Sequence, residues 1–131
     1  MIVDTSALAA ILLEEPDAGR FYDAIMAIAE PKLSAASFVE LVEVYTKKIE
    51  INDVMGDVVR DDLGMLGVVI VPVTAEQALL AGAARLHFGK GRHLARLNYG
   101  DSFSYALARS LDAPLLFKGD DFAHADIRPA L

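Results

Sequence analysis

Apolar residues along the chain follow two different spacings, which alternate from one segment to the next. Short continuous apolar runs that are rich in β-branched residues predict buried strands. They lie at Met1–Val3, Lys32–Ala36, Val68–Val73 and Leu115–Phe117, and Ile127 is expected in a final short edge strand. Strands that alternate with helices are typical of a parallel sheet covered on both faces.

The segments between these runs carry apolar residues at helical spacing. They predict helices from Thr5 to Leu13, Asp17 to Ala29, Ser37 to Lys48, Asn52 or Asp53 to Leu66, Ala75 to Phe88, and Asn98 to Leu111. The core-facing residues expected in the second and fourth helices are Phe21, Ile25, Ile28, Val54, Val58, Leu63 and Leu66. We therefore expect a single α/β domain over residues 1–131, with a sheet of four or five strands.

Composition agrees with one globular domain and excludes several classes of site. The 131 residues are 54% hydrophobic, which is enough for a sizeable core. The chain has no cysteine, so disulfides, thiolate metal sites and thiol nucleophiles are excluded. No apolar run approaches the roughly 20 residues of a membrane span. No charged-then-apolar leader precedes the first strand, so we expect a cytoplasmic protein that does not enter a membrane.

The charge is unevenly distributed. A net charge of -7 disfavours nonspecific binding to nucleic acid. However, no acidic residue lies between Glu76 and Asp101. The same interval contains a basic strip made of Arg85, His87, Lys90, Arg92, His93 and Arg96. An overall acidic protein can thus present one basic surface.

Acidic residues stand where predicted elements begin or end. Asp4 follows the first strand, Glu40 falls in the first turn of the third predicted helix, and Asp101 opens the helix before the strand at residue 115. Asp120 and Asp121 follow that strand. The carboxyl ends of parallel strands share one edge of the sheet with the starts of the following helices. All these acids could therefore meet in one crevice.

Each acid also has a purely structural interpretation. Asp4 and Asp101 are suited to capping helices. The segment Ser37-Phe38-Val39-Glu40 matches the capping box, in which the acid bonds back to the cap. Gly119-Asp120-Asp121 has the composition of an ordinary turn. The functional interpretation depends on the joint placement of these acids rather than on any one of them.

Several carboxylates in one pocket repel one another, and a divalent cation relieves that repulsion. Mg²⁺ prefers oxygen ligands, and the chain has no cysteine and no histidine beside these acids for a softer metal. Mg²⁺ or Mn²⁺ held in this way can activate a water and stabilise a reacting phosphate. The chemistry that suits such a pocket is the hydrolysis of phosphodiester bonds.

Four short motifs occur in order along nearly the whole chain. They are Ile2-Val3-Asp4-Thr5-Ser6-Ala7-Leu8, Ser37-Phe38-Val39-Glu40-Leu41, Tyr99-Gly100-Asp101-Ser102-Phe103-Ser104-Tyr105-Ala106-Leu107-Ala108, and Leu115-Leu116-Phe117-Lys118-Gly119-Asp120-Asp121-Phe122. In this set the chain resembles PIN-domain ribonucleases, and more narrowly the VapC-type toxins of bacterial toxin–antitoxin pairs.

The resemblance implies an α/β/α sandwich around a parallel sheet and a Mg²⁺- or Mn²⁺-dependent endoribonuclease. Asp4, Glu40 and Asp101 match the family's core acidic positions. Asp121 is favoured over Asp120 as the fourth acid. The resemblance further implies a homodimer, and inhibition by a small antitoxin whose basic side chain reaches the acids.

Hydroxyl and basic residues complete the expected site. Thr5 or Ser6 matches a hydroxyl position beside the first acid and could orient the attacking water, and Ser102 could do the same. The candidates for RNA contact are Arg92, His93, Arg96 and Tyr99. These supply cations for phosphates and a ring for stacking. The alternative is that the basic strip is a solvated surface.

Two other functions compete with this one. A receiver-like signalling domain also has an acidic Mg²⁺ pocket and a lysine after a late strand, which Lys118 would match. Lys118 could otherwise be a phosphate contact near Asp121, and the interpretation as a surface residue is favoured over that contact. A receiver-like domain also needs a phosphoacceptor Asp after a central strand, and Thr74-Ala75-Glu76 follows the run ending at Val73. The third possibility is a non-catalytic binding module on the same fold.

Overall fold

The structure is a computed structural model that describes residues 1–46 and 54–131. Its strands are β1 (Ile2–Val3), β2 (Lys32–Ser34), β3 (Val69–Val71) and β4 (Leu115–Leu116). Its helices are α1 (Thr5–Leu12), α2 (Ala18–Met26), α3 (Ala35–Tyr45), α4 (Met55–Met65), α5 (Ala75–Phe88) and α6 (Tyr99–Ser110). The predicted end of the third helix at Lys48 and the start of the fourth at Asn52 or Asp53 lie outside the described residues.

The described strands form one parallel sheet in the order β3-β2-β1-β4. The first strand of the chain is therefore central. It pairs with the last strand in the register Ile2 with Leu115 and Val3 with Leu116. The backbone N–H of Asp4 extends this pairing by donating to the Leu116 carbonyl at 2.9 Å. As a result, the residue that follows β1 lies beside the residues that follow β4.

Successive strand residues face opposite sides of the sheet, and each side has its own core. Val3 and Leu116 belong to a buried cluster with side chains from α1, α2, α3 and α4. Ile2 and Leu115 belong to a second cluster with side chains from α5 and α6. Helices thus cover both faces of the sheet. The predicted α/β/α sandwich with a parallel sheet is confirmed, and none of the described helices is long and apolar enough to cross a membrane.

Several predicted core positions are wrong. Val54 and Val58 are 54% and 39% exposed, because α4 buries Met55 and Val59 in their place, together with the correctly predicted Leu63. Ile28 lies beyond the end of α2 and is 41% exposed. In both segments there are more apolar residues than positions on the buried face of the helix. Helical spacing alone therefore does not decide which of them face the core.

The prediction that the run from Val68 to Val73 forms the clearest buried strand is also wrong. Only Val69–Val71 forms β3, at the edge of the sheet, and it is partly exposed. At the other edge, Pro129 forms an isolated parallel bridge to Leu115 two residues beyond Ile127. For β3, the composition of the sequence identifies a strand but does not distinguish an edge strand from a central one.

The third helix begins earlier than predicted. Ser34 caps it by accepting a hydrogen bond from the Ala36 N–H at 3.3 Å. Ser37 is buried inside the helix and shares a hydrogen bond with Ser104 of α6 at 3.1 Å. The capping-box interpretation of residues 37–40 is therefore wrong. Glu40 belongs to the second turn of α3, not the first, so capping does not account for its carboxylate.

Candidate active site

Asp4 is both a helix cap and a buried acid. It ends β1, caps α1 and is 3% exposed. Its Oδ2 accepts hydrogen bonds from the Ser6 N–H at 2.9 Å and from the Ser6 hydroxyl at 2.6 Å. Capping therefore occupies one of the two carboxylate oxygens. The structural and functional interpretations of Asp4 are compatible.

Glu40 is joined to the same part of the sheet through Thr5. The Thr5 hydroxyl contacts Glu40 Oε2 at 2.9 Å and the Ser37 carbonyl at 3.3 Å, which links α1 to α3. Burial raises the pKa of Glu40, the Thr5 hydrogen bond lowers it, and the charges of Asp4 and Glu43 raise it further. Thr5 thus fixes one oxygen of Glu40 close to Asp4.

Asp101 lies at the start of α6, where the cap is Asn98 rather than Asp101 itself. Asp101 Oδ2 accepts from the Asn98 N–H at 2.6 Å, and the Asp101 N–H donates to Asn98 Oδ1 at 3.0 Å. Asp101 is 7% exposed. Burial raises the pKa of Asp101 to about 7 against the pull of the Asn98 N–H, and the charges of Asp4, Asp121 and Glu40 add to the rise.

We call Asp4, Glu40, Asp101 and Asp121 the acidic site. They lie close enough together for the charges of the other three to raise the pKa of Asp101. Asp121 and Asp120 are both exposed in the turn after β4, but only Asp121 contributes to the raised pKa of Asp101. As the side chains stand, no three acidic or histidine residues within 1–46 and 54–131 are grouped tightly enough to hold a metal ion.

Lys118 ties the turn after β4 to the start of the chain. Its backbone N–H donates to the Ser6 hydroxyl at 3.0 Å, and that hydroxyl in turn donates to Asp4. Its Nζ pairs with Glu15 and, at 2.6 Å, with Asp17. This pairing lowers the pKa of Asp17. The Lys118 ammonium is thus occupied by carboxylates and serves to hold the turn in place.

The remaining hydroxyl candidate has a local partner. Ser102 is 1% exposed, and its hydroxyl donates to the Tyr99 carbonyl within α6 at 2.6 Å. The proton of Ser102 is therefore committed to the helix backbone. Of the three hydroxyls expected near the acids, Thr5 and Ser6 contact carboxylates directly and Ser102 does not.

The basic loop, residues 89–96, connects α5 to the segment that enters α6. Arg92, His93 and Arg96 are exposed around an open depression of about 510 Å³. No ion pair of the described chain includes Arg92 or Arg96. His93 Nδ1 accepts from the Ala95 N–H at 3.1 Å, so this ring also serves to shape the loop.

Tyr99 follows the basic loop in the chain and lines a groove together with Glu40. Its ring is 73% exposed and meets Phe103 edge-on, with centroids 5.0 Å apart. Both rings line a groove of about 420 Å³ that also contains Glu40 and Gly100. The groove was not predicted, because its sides come from α3 and α6. Gly100 lies in the motif from Tyr99 to Ala108, but the sequence offered no reason to assign it a role.

A model of the PIN-domain family matches residues 1–128, and the chain belongs to this family. Within the family it is of the VapC type. It is 46% identical over 127 residues to the VapC ribonuclease Mb0640 of Mycobacterium bovis, covering 97% of this chain and 95% of that one. It is 43% identical over 133 residues to ribonuclease VapC42 of Mycobacterium tuberculosis, covering 99% and 98%.

A solved structure has the same fold. It is that of Mycobacterium tuberculosis VapC20, described as a sarcin–ricin loop cleaving toxin. The two chains superpose with a TM-score of 0.75 at 19% identity, and the match covers 98% of each. The expected family, fold and enzyme class, an RNA-cleaving hydrolase, agree with these findings.

Family membership also argues against the receiver-like alternative. The sequence argument against it was weak, because it depended on the strand ending at Val73, and β3 is an edge strand. The strand that is central, β1, is followed by Asp4. The full-length match to VapC ribonucleases is the stronger reason to set that alternative aside.

Proposed function

We propose that this chain is a ribonuclease toxin that hydrolyses RNA phosphodiester bonds with Mg²⁺ or Mn²⁺ held by Asp4, Glu40, Asp101 and Asp121. The observation that carries the proposal is the buried carboxyl of Asp101, whose pKa is raised to about 7 in part by the other three acids. A hard cation relieves such crowding and favours an all-oxygen donor set.

Three of these acids each accept hydrogen bonds from neutral donors of the chain, which restrain their carboxylates. Asp4 is held by Ser6, Glu40 by Thr5 and Asp101 by Asn98. The donors are uncharged, and they bind only one oxygen of each carboxylate: Oδ2 of Asp4, Oε2 of Glu40 and Oδ2 of Asp101. This restrains each carboxylate without neutralising it. A divalent cation, when bound, supplies an activated water and charge stabilisation on the phosphate.

These contacts refine the expected roles of the hydroxyl residues. Thr5 and Ser6 were expected to orient the attacking water. Their hydroxyls instead donate to Glu40 and Asp4, so we assign both as positioning residues for the acids. Ser102 supports the first turn of α6. Asp121 is our fourth acid, and Asp120 is an exposed turn residue.

RNA reaches the acidic site along the basic loop. Arg92 and Arg96 supply cations that are not paired with carboxylates in the described chain, and His93 shares their depression. The exposed Tyr99 ring offers a stacking face at the edge of the Glu40 groove. An unpaired stretch of RNA can use both features together.

The partner proposals follow from the VapC type. The relatives' naming supports a cognate antitoxin, and a cationic antitoxin side chain would be attracted to the four acids. We also propose a homodimer and a cytoplasmic location, where the RNA substrate is found. The homodimer follows from the family resemblance alone.

The test is cleavage of a panel of structured RNAs by wild-type protein and Asp4→Asn, with Mg²⁺, Mn²⁺ or EDTA. Asn is as good a helix cap as Asp, so the variant should keep its thermal stability within about 1 kcal/mol. Cleavage by the wild type should require a divalent cation. The cleavage rate of the variant should be lower by about 100-fold or more. Equal cleavage by both proteins would refute the acidic site.

Asp120→Asn and Asp121→Asn distinguish the two turn acids. Only the Asp121 variant should lose cation-dependent cleavage. The reverse result would reassign the fourth acid.

A further inference from the structure

Gly100 lies against the carboxylate of Glu40. It is the second residue of α6, on the groove that Glu40 also lines. A Cβ built on Gly100 would stand 2.4 Å from Glu40 Oε2 and 2.7 Å from its Oε1 and Cδ. Cβ atoms essentially never stand under 3.0 Å from such neighbours, so either the Cβ or the carboxylate would have to shift. The Glu40 carboxylate therefore occupies the space that any side chain at residue 100 would fill.

Glu40 Oε2 is held from a second direction by Thr5. The Thr5 hydroxyl donates to this oxygen at 2.9 Å. The oxygen that would collide with a Cβ at residue 100 is thus the one that receives this hydrogen bond. A side chain at residue 100 that displaced this oxygen would therefore also disturb its hydrogen bond with Thr5.

We propose that Gly100 is a positioning residue for the ribonuclease reaction, because its missing side chain lets Glu40 stand against α6 beside Asp101. The inference rests on the proposed function and adds one residue to it. Thr5 supplies the hydrogen bond, and Gly100 supplies the room. Together they set where Glu40 presents its carboxylate to a divalent cation.

Gly100→Ala tests this because its expected effects on stability and activity have opposite signs. Alanine favours the helix over glycine, by about 1 kcal/mol in a helix interior, so α6 should not be weakened. The Glu40 carboxylate is the end of a flexible side chain and can move aside. Its displacement of about 1 Å should lower kcat by roughly 10- to 100-fold with little change in KM.

Gly19→Ala is the matched control. Gly19 is also the second residue of a helix, α2, and a Cβ there would meet nothing within 4 Å. Cleavage by this variant should stay within about two-fold of the wild type. The readout independent of activity is the rise in Tm caused by Mn²⁺, which should be smaller for Gly100→Ala than for Gly19→Ala or the wild type.

If Gly100→Ala has a lower Tm than the wild type, the same substitution can be tested in a second variant, Glu40→Asp. Glu40→Asp shortens the side chain by one methylene, so the carboxylate no longer reaches residue 100. Adding Gly100→Ala to that variant should cost less than about two-fold in kcat. An equal penalty in both backgrounds would mean that Gly100 acts on the fold and would overturn the inference.

The two proposals fail in different ways. Full activity and a full Mn²⁺ response in Gly100→Ala, with Asp4→Asn inactive, would overturn the role of Gly100 and leave the acidic site in place. Cleavage by Asp4→Asn at the wild-type rate would remove the proposed function, and the role of Gly100 with it.

Discussion

At the scale of single residues, the candidate site is a set of four acids with crowded negative charges, three of which accept hydrogen bonds from neutral donors. Asp101 shows the consequence most clearly. It is 7% exposed, and burial together with the charges of Asp4, Asp121 and Glu40 raises its pKa to about 7 from 3.8. Folding therefore favours its protonated form.

Asp101 should make the metal-free protein less stable as the pH rises. With a folded-state pKa above the unfolded value, the folded state binds more protons between about pH 4 and 7. The stability it contributes is complete below the unfolded pKa and is lost as the pH approaches 7. Asp101→Asn should thus melt above the wild type in EDTA, by a few degrees at pH 7–8 and less at pH 5.

The measurement is thermal unfolding of both proteins between pH 5 and 8. Asp23→Asn, which changes an exposed carboxyl on α2, is the control and should follow the wild-type curve. If the Asp101→Asn and wild-type curves stay parallel over this range, Asp101 is not protonated by folding.

Sequence alone predicted where the acids lie better than what they contact. Asp4 and Asp101 lie at helix starts, as expected, because local pattern detects element boundaries. The Thr5–Glu40 hydrogen bond joins residues 35 positions apart, and the Lys118–Glu15 pair joins residues 103 apart. No local pattern encodes such contacts. The close approach of Glu40 to Gly100 likewise depends on how α3 and α6 pack.

At the scale of elements, helix caps are part of the site. Asn98 caps α6 in a capping box with Asp101, and Thr74 caps α5 in a capping box with Gln77. The two boxes share the same construction, but only the first contains one of the four acids. The start of α6 therefore has two functions, to end a loop and to hold Asp101 and Gly100 in place.

Replacing each cap by alanine should separate these functions. Asn98→Ala and Thr74→Ala each remove one acceptor for a helix N–H, at a cost of about 1 kcal/mol of stability. Only Asn98→Ala should also lower cleavage several-fold, because fraying at the start of α6 moves Asp101. Denaturant melts and cleavage rates check both. Equal loss of activity in the two variants would show a general effect of stability.

The errors at this scale have physical causes. A capping-box pattern at Ser37-Phe38-Val39-Glu40 concealed the true cap at Ser34, because serine is abundant on both sides of the helix start. The apolar run around β3 looked central because composition reports hydrophobicity, whereas strand order depends on which helices pack where. Boundaries and edges are tertiary properties.

At the scale of the whole molecule, a protein with a net charge of -7 carries one basic loop, which precedes Asp101 in the chain. Nonspecific attraction to RNA is therefore weak over most of the surface. Under the proposed function, productive binding depends on the orientation that places phosphates on Arg92 and Arg96 and a base near Tyr99.

Removing this basic surface should reduce the salt dependence of RNA binding. Each phosphate contact on a single strand contributes a slope of about 0.7 in log affinity against log salt, so Arg92→Ala with Arg96→Ala should lower the slope by about 1.4. Binding is measured in EDTA, so that the RNA is not cut. Arg20→Ala with Arg60→Ala removes the same charge from α2 and α4 and should leave the slope unchanged. A basic loop without a role would give the same slope in both double variants.

The central place of β1 has a further consequence for the time at which the protein becomes dangerous to the cell that makes it. Residues 2 and 3 are paired with residues 115 and 116, and the charges of Asp4 and Asp121 both act on Asp101. A nascent chain therefore cannot assemble the proposed acidic site until residues 115–121 have left the ribosome. RNA near the ribosome is exposed to cleavage only after that point.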